Sequence, residues 1–154
     1  MTGALALAAA VLIALVLGLV HRSRDGRLRP ARPTPPTTAT PTTGTPPTAP
    51  GLLGELAALG ERPGDRATLL QFSSAFCAPC RATRRTLGEI ATMVDGVRHV
   101  EVDAEAHLDV VRRLGIRKTP TTLVLDAGGR EVVRASGQPR KADVLAALGQ
   151  VVQA

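Results

Sequence analysis

Thr68-Leu69-Leu70-Gln71-Phe72-Ser73-Ser74-Ala75-Phe76-Cys77-Ala78-Pro79-Cys80-Arg81 is the stretch on which the reading of this chain turns. Thr68 to Phe72 is an apolar run with the length of a short buried strand. From Cys77 onward the pattern becomes helical, with Leu87, Ile90 and Val94 on one side. The 154 residues contain two cysteines, and both lie in this stretch, separated by Ala78 and Pro79. A dithiol at that spacing opens and closes one small ring, so the chemistry it supports is thiol–disulfide exchange.

Working outward, residues 51–154 have the composition of one small domain of about 100 residues, enough for a single core. Leu52, Leu53, Leu56 and Leu59 share a helical face that ends at Gly60. Val97 to Val102 reads as a strand, and Leu108, Val111 and Leu114 as a short helix stopping at Gly115. Thr121 to Leu125 is a buried-strand run, Ala127-Gly128-Gly129 a turn, and Glu131 to Arg134 the returning strand of a hairpin. Val144, Leu145, Leu148 and Val152 mark a last amphipathic helix. The order strand, helix, strand, helix, strand, strand, helix predicts an α/β fold, a mixed sheet with helices on both faces.

Three features together resemble the thioredoxin family. They are the strand leading into Cys77-Ala78-Pro79-Cys80, the run Gly115-Ile116-Arg117-Lys118-Thr119-Pro120-Thr121 entering another strand, and Gly137 before the last helix. The likeness covers roughly residues 52 to 152. It implies a thioredoxin-like central sheet and protein disulfides or dithiols as substrates. It also implies a redox partner, reductase or oxidant, and no bound cofactor. Pro120 is implied to be a cis-proline facing the cysteine pair, a state that costs little only at X-Pro bonds. Phe76, Ala78, Pro79, Thr119 and Pro120 would make the substrate-docking surface around the catalytic Cys77 and Cys80.

The two sulfurs divide the work on physical grounds. Cys77 falls at the first turn of a helix, where orphan N–H groups and the positive end of the macrodipole favour thiolate over thiol; it should attack. Cys80, nearly a turn further in and more buried, should resolve the mixed disulfide. Pro79 suits a helix start because its missing N–H has no intrahelical use there. Three positions depart from the family pattern. Phe76 stands where thioredoxins have Trp, losing an indole donor but keeping an apolar surface. Thr119 replaces the common Ile and is read either as a hydrogen-bonding group near the sulfurs or as a plain strand-entry residue. Gln71 replaces a buried Asp that aids proton transfer at the resolving cysteine; Gln does not titrate, so that route is absent or runs through water.

The N-terminus is a separate signal. Gly3 to Val20 is eighteen residues without a charge, and as a helix it would span about 27 Å, near the thickness of a hydrocarbon core. No Lys or Arg precedes it and His21-Arg22-Ser23-Arg24 follows, the flanks of a retained single-pass anchor rather than a cleaved signal. The expected organisation is an anchor over 1–20, a basic juxtamembrane segment over 21–32, a Pro/Thr-rich linker over 33–50 and the thioredoxin-like domain over 51–154. The formal net charge is +6, of which Arg22, Arg24, Arg27, Arg29 and Arg32 against Asp25 account for much. That flank is expected to contact the anionic lipid of the cell membrane and, by the positive-inside rule, to place the domain in the cytoplasm. Pro30 to Pro50 holds eight Pro and eight Thr in twenty-one residues, the composition of an extended, largely disordered spacer that sets the domain up to about 65 Å from the bilayer. Thr/Pro tracts also suit extracellular stalks, which argues for the opposite, extracytoplasmic face. Two Phe, no Tyr and no Trp leave nucleic-acid binding without support.

His99 and His107 match no zinc spacing with the cysteines and read as ordinary histidines, so no metal site is expected. Arg81, Arg84 and Arg85 read as a solvated helix face, Asp103 and Asp126 as cap or turn residues. Beside the leading function, a membrane-tethered thiol–disulfide oxidoreductase, the alternatives are a module that binds or delivers a metal through its two thiolates and a thioredoxin-like docking module without exchange.

Overall fold

A computed structural model of the chain describes residues 2–31 and 51–152. Its centre is β2 (Ala67–Ser73), every residue of which is buried. A strand covered on both faces reads as a continuous apolar run instead of an alternating one, which is why Thr68–Phe72 was visible as a strand at all. β2 pairs in parallel with β3 (Val97–Asp103) and antiparallel with β4 (Thr121–Asp126). β4 in turn pairs antiparallel with β5 (Glu131–Ser136). The hairpin between them closes on Asp126, whose side chain accepts from the Arg130 N–H at 2.9 Å while its carbonyl accepts from the Gly129 N–H.

Period-two alternation divides the core between the two faces of the sheet. Leu70, Phe72, Val100, Val102, Leu123 and Leu125 pack with Leu52 and Leu56 beside α2 (Leu53–Ala58) and with Val110 of α4 (Leu108–Arg113). Ala67, Leu69, Val97 and Val124 face Leu87 and Ile90 of α3 (Ala78–Met93) and Val144 and Leu148 of α5 (Lys141–Val152). Gly115 follows α4 with φ +62°, the left-handed turn that glycine permits at a helix end. The mixed sheet with helices on both faces is the arrangement the sequence predicts.

The N-terminal segment brings two findings. α1 runs over Thr2–Arg24, and the large apolar side chains described on it, such as Leu7, Leu12, Leu15 and Leu19, are exposed. Among the described residues no helix is long and apolar enough to cross a membrane. Several α1 side chains, those of residues 2–5 and 21–24 among them, lie outside that set. The second finding concerns the basic flank. It is not free for lipid contact along its whole length: β1 (Leu28–Pro30) joins the sheet as a fifth strand, antiparallel to β5, giving the order β1-β5-β4-β2-β3. A three-residue strand holding a proline has no periodicity to detect, and proline is tolerated there because β1 is an edge.

The expected spacer, residues 33–50, lies outside the described residues, but both of its flanks are placed. Ala31 donates its N–H to Val132 O at 2.9 Å, and Leu52 donates to Gly129 O at 2.8 Å. The segment therefore starts and finishes at the same β4–β5 hairpin. It does not connect a distant anchor to the domain, because the sheet has already begun before it.

Candidate active site

β2 delivers the chain to the site. After Ser73, residues 74–76 lead to Cys77, which is the N-cap of α3 with extended backbone (φ −107°, ψ 96°). Its carbonyl accepts from the N–H groups of Cys80 and Arg81, and its Sγ accepts from the Cys80 N–H at 3.1 Å. Pro79 sits in the first helical turn, where no N–H is required of it. Cys77 and Cys80 are joined as a disulfide with Cα atoms 5.2 Å apart. Their exposures differ as the sequence predicts, Cys77 being half-buried and Cys80 only 1% exposed. The helix N-terminus directs N–H dipoles at Cys77 Sγ and so favours negative charge there once the bond opens.

The loop before β4 closes the other side. The Thr119–Pro120 bond is cis, as the family likeness implied. Thr119 Oγ1 lies 3.0 Å from Ser74 Oγ, tying this loop to the approach to Cys77. Of the two readings of Thr119, the hydrogen-bonding one is the one realised. Gly137 donates its N–H to Pro120 O at 2.7 Å, and Thr121 Oγ1 donates to Lys118 O. Pro79, Thr119 and Pro120 share a groove of about 860 Å³ with Lys118 and Gly137. Phe76 and Ala78 lie outside that lining, on the exposed rim of the cysteine loop, with Phe76 100% exposed.

Behind the sulfurs lies a polar network that sequence reasoning missed. Gln71 is fully buried, and its Nε2 donates to Cys80 O at 3.1 Å and, more weakly, to Glu101 Oε1 at 3.5 Å. Its Oε1 lies 3.1 Å from His99 Nε2. Because the amide oxygen only accepts, His99 carries the proton on Nε2. Glu101 also accepts from Ser73 Oγ and pairs with the Arg84 guanidinium, so Arg84 ties α3 to β3 instead of merely being solvated. Burial alone would raise the Glu101 carboxyl, but hydrogen bonds from Arg84 and Ser73 outweigh it and hold the group below its ordinary range. Arg84 is raised in return by the Glu101 hydrogen bond. His99 is lowered because burial disfavours the imidazolium; Glu101 pulls the other way and Arg84 adds to the lowering. The site at neutral pH thus holds an ionised Glu101 and a neutral His99, joined through an amide that cannot ionise.

Alternation along β3 places residues 97, 99 and 101 on one face, so the shared side of His99 and Glu101 was derivable. The parallel register that sets Glu101 opposite Gln71 was not. Thr122, opposite Gln71 on β4, has a buried hydroxyl without a partner. His107 caps α4 by its backbone position alone, and Asp103 Oδ1 accepts from the Glu105 N–H as a turn residue does. Among the described residues no group of three or more His, Cys, Asp or Glu side chains is placed to hold a metal.

Comparison with known proteins agrees with this geometry. The thioredoxin family profile matches residues 61–150. A thioredoxin of Alicyclobacillus acidocaldarius subsp. acidocaldarius is 33% identical over 91 residues, which are 58% of this chain and 86% of that protein. Among solved structures, chloroplastic thioredoxin z superposes with a TM-score of 0.55 at 25% identity, covering 68% of this chain and 91% of the other. Fasciola hepatica thioredoxin gives 0.53 at 20% identity, with 64% and 90% covered, a likeness of fold. The profile match together with the Cys77–Cys80 disulfide at a helix N-terminus places this chain in the thioredoxin family and makes it a thiol–disulfide oxidoreductase.

Proposed function

We propose that the chain is a membrane-tethered protein thiol–disulfide oxidoreductase that exchanges disulfides with protein substrates through Cys77 and Cys80. The observation that carries the exchange reading is the asymmetry of the pair, an accessible Cys77 at the N-cap of α3 bonded to a buried Cys80. In the reduced enzyme the Cys77 thiolate attacks a substrate disulfide, forming a Cys77–substrate bond and releasing the other substrate sulfur, which takes up a proton. Cys80 then loses its proton and attacks Cys77 Sγ, forming the ring and expelling the second substrate thiolate. Two electrons have passed to the substrate, and a partner dithiol returns two to the enzyme; with an oxidised partner the sequence runs in reverse.

The tether rests on the sequence: eighteen charge-free residues over Gly3–Val20 with arginines only behind them. That charge asymmetry favours a cytoplasmic domain. Reduction of insulin disulfides by the full chain tests the exchange. Cys77→Ser is expected to abolish it, and Cys80→Ser to leave Cys77 trapping substrates as stable mixed disulfides. Near-normal turnover by the Cys77 variant would end this mechanism.

A further inference from the structure

The residues directly after α1 build part of the exchange groove. Asp25 and Gly26 line it together with Pro79, Thr119 and Pro120. Asp25 pairs with Lys118, the residue before Thr119, at 2.5 Å. Gly26 donates its N–H to Ser136 O at 2.7 Å, next to the Gly137 that holds Pro120. Gly26 has φ +76°, and a Cβ there would stand 1.9 Å from Gln138 O, so this position accepts glycine for both conformation and space. β1 then continues the sheet. Four residues of helix, about 6 Å, separate Val20 at the end of the apolar run from Arg24. The whole path from the apolar helix to the groove wall is therefore shorter than one helical heptad.

We infer that Asp25–Ala31 is a structural wall of the exchange groove and holds it at the bilayer surface, so that the substrates served are disulfides in membrane-embedded proteins close to that surface. The membrane half of this inference rests on the tether proposed above. The occupant follows from position: a groove fixed within a few residues of an anchor meets segments emerging from the same bilayer at high effective concentration, and meets soluble disulfides only by diffusion. An anchor followed by a long spacer would confer no such bias. Here the Pro/Thr segment comes after β1, so its length does not set the distance.

Two measurements on the full chain in lipid vesicles test this. Amide hydrogen exchange reads the wall itself: the Gly26 and Ala31 N–H groups are expected to be protected like β5, and Gly26→Val to lose that protection. Exchange of residues 26–31 at unfolded rates in the wild type overturns the inference, whatever the chain's relation to the membrane. Reach is read by inserting about 25 residues of helical Glu-Ala-Ala-Ala-Lys repeats between Arg24 and Asp25, a stand-off of about 38 Å. A Gly/Ser insertion of equal length after Thr43 serves as the control. The substrates are insulin and a single-span peptide carrying a disulfide ring beside the bilayer. The first insertion is expected to lower the rate on the membrane peptide about tenfold while sparing insulin, and the second to change neither. Equal rates for all three chains on the membrane peptide, or an equal loss from both insertions, overturn the inference. A wild-type chain that does not float with the vesicles overturns the tether and the positional half together, while the exchange pattern still decides the strand.

Discussion

Replacing Gln71 by Leu keeps the size of the side chain and removes both ends of the bridge under the sulfurs. The consequence can be worked out group by group. His99 Nε2–H loses its acceptor at a partly buried site, a penalty of about 1–3 kcal/mol. The Cys80 carbonyl keeps its helical partner and loses only a second bond, about 0.5–1 kcal/mol. Because His99 retains some access to water, the lower end applies, and about 2 kcal/mol is expected, a fall in Tm of roughly 8–16 °C for a domain of about 100 residues. His99→Leu alone strands Gln71 Oε1, which is fully buried, at a comparable cost. The double variant strands neither group, so it should be more stable than the sum of the single effects by about 1 kcal/mol or more. Thermal and urea unfolding of the oxidised wild type and three variants gives the cycle. Single costs below about 0.5 kcal/mol, or effects that add within about 0.5 kcal/mol, would refute the bridge and the view that Gln71 acts here as a hydrogen-bond hub.

His99 is lowered in the folded state, so its contribution to stability is complete above the unfolded value near 6.5 and is lost as pH falls below it. Glu101, also lowered, contributes stability above its ordinary range near 4.5 and loses it as pH falls further. Tm should therefore decline from pH 7 to 5 and again below 4.5, and His99→Gln should flatten the first step while leaving the second; an unchanged first step refutes the assignment to His99. Thr122→Val removes a buried hydroxyl without a partner and should raise stability by about 1 kcal/mol, read as a higher Tm. In a Cys77→Ser/Cys80→Ser background, Thr43→Cys should resist a membrane-impermeant thiol reagent in intact cells, because the five arginines behind the apolar run favour a cytoplasmic domain; strong labelling reverses the topology.

The elements nearest the cysteines were readable because their patterns are locally redundant. Thr68–Phe72 is short, apolar and β-branched at one end, and α3 carries Leu87 and Ile90 at helical spacing; both lie within a residue or two of where they were expected. The unequal exposure of the two sulfurs follows from helix geometry alone. The polar network does not, because it depends on register. A parallel pair of strands joined by a helix has no turn to pin its alignment, and a slide by two residues along β3 would have put Val97 or Val102's neighbour Asp103 near Gln71 instead of His99 and Glu101. The absence of a titrating residue at position 71 was plain, but what the amide holds there required the partner strand.

β1 shows a different limit. The family likeness, the hydrophobic patterning and the composition shift all begin near Gly51, and each treats what precedes as something other than domain. The sheet does not respect that boundary. β5 offers a row of backbone groups along its outer edge, and Leu28–Pro30 pairs with it through Leu28↔Ala135, Arg29↔Arg134 and Pro30↔Val133. An unpaired edge of this kind is a template for another chain, and covering it with a proline-bearing strand both satisfies it and ends the sheet. Residues 61–150 are thus the part of the chain that resembles its relatives, while the folded unit includes a strand that arrives from the anchor side. Edge pairing needs only three residues with backbone N–H and C=O groups in the right place, which leaves almost no trace in side-chain pattern. The same economy couples tether and catalysis: Gly26 bonds Ser136, Asp25 pairs with Lys118, and Lys118 precedes the Thr119–Pro120 loop that faces the cysteines. A pull on the anchor is therefore transmitted to the substrate groove through one ion pair and a three-residue strand, without passing through the Pro/Thr segment.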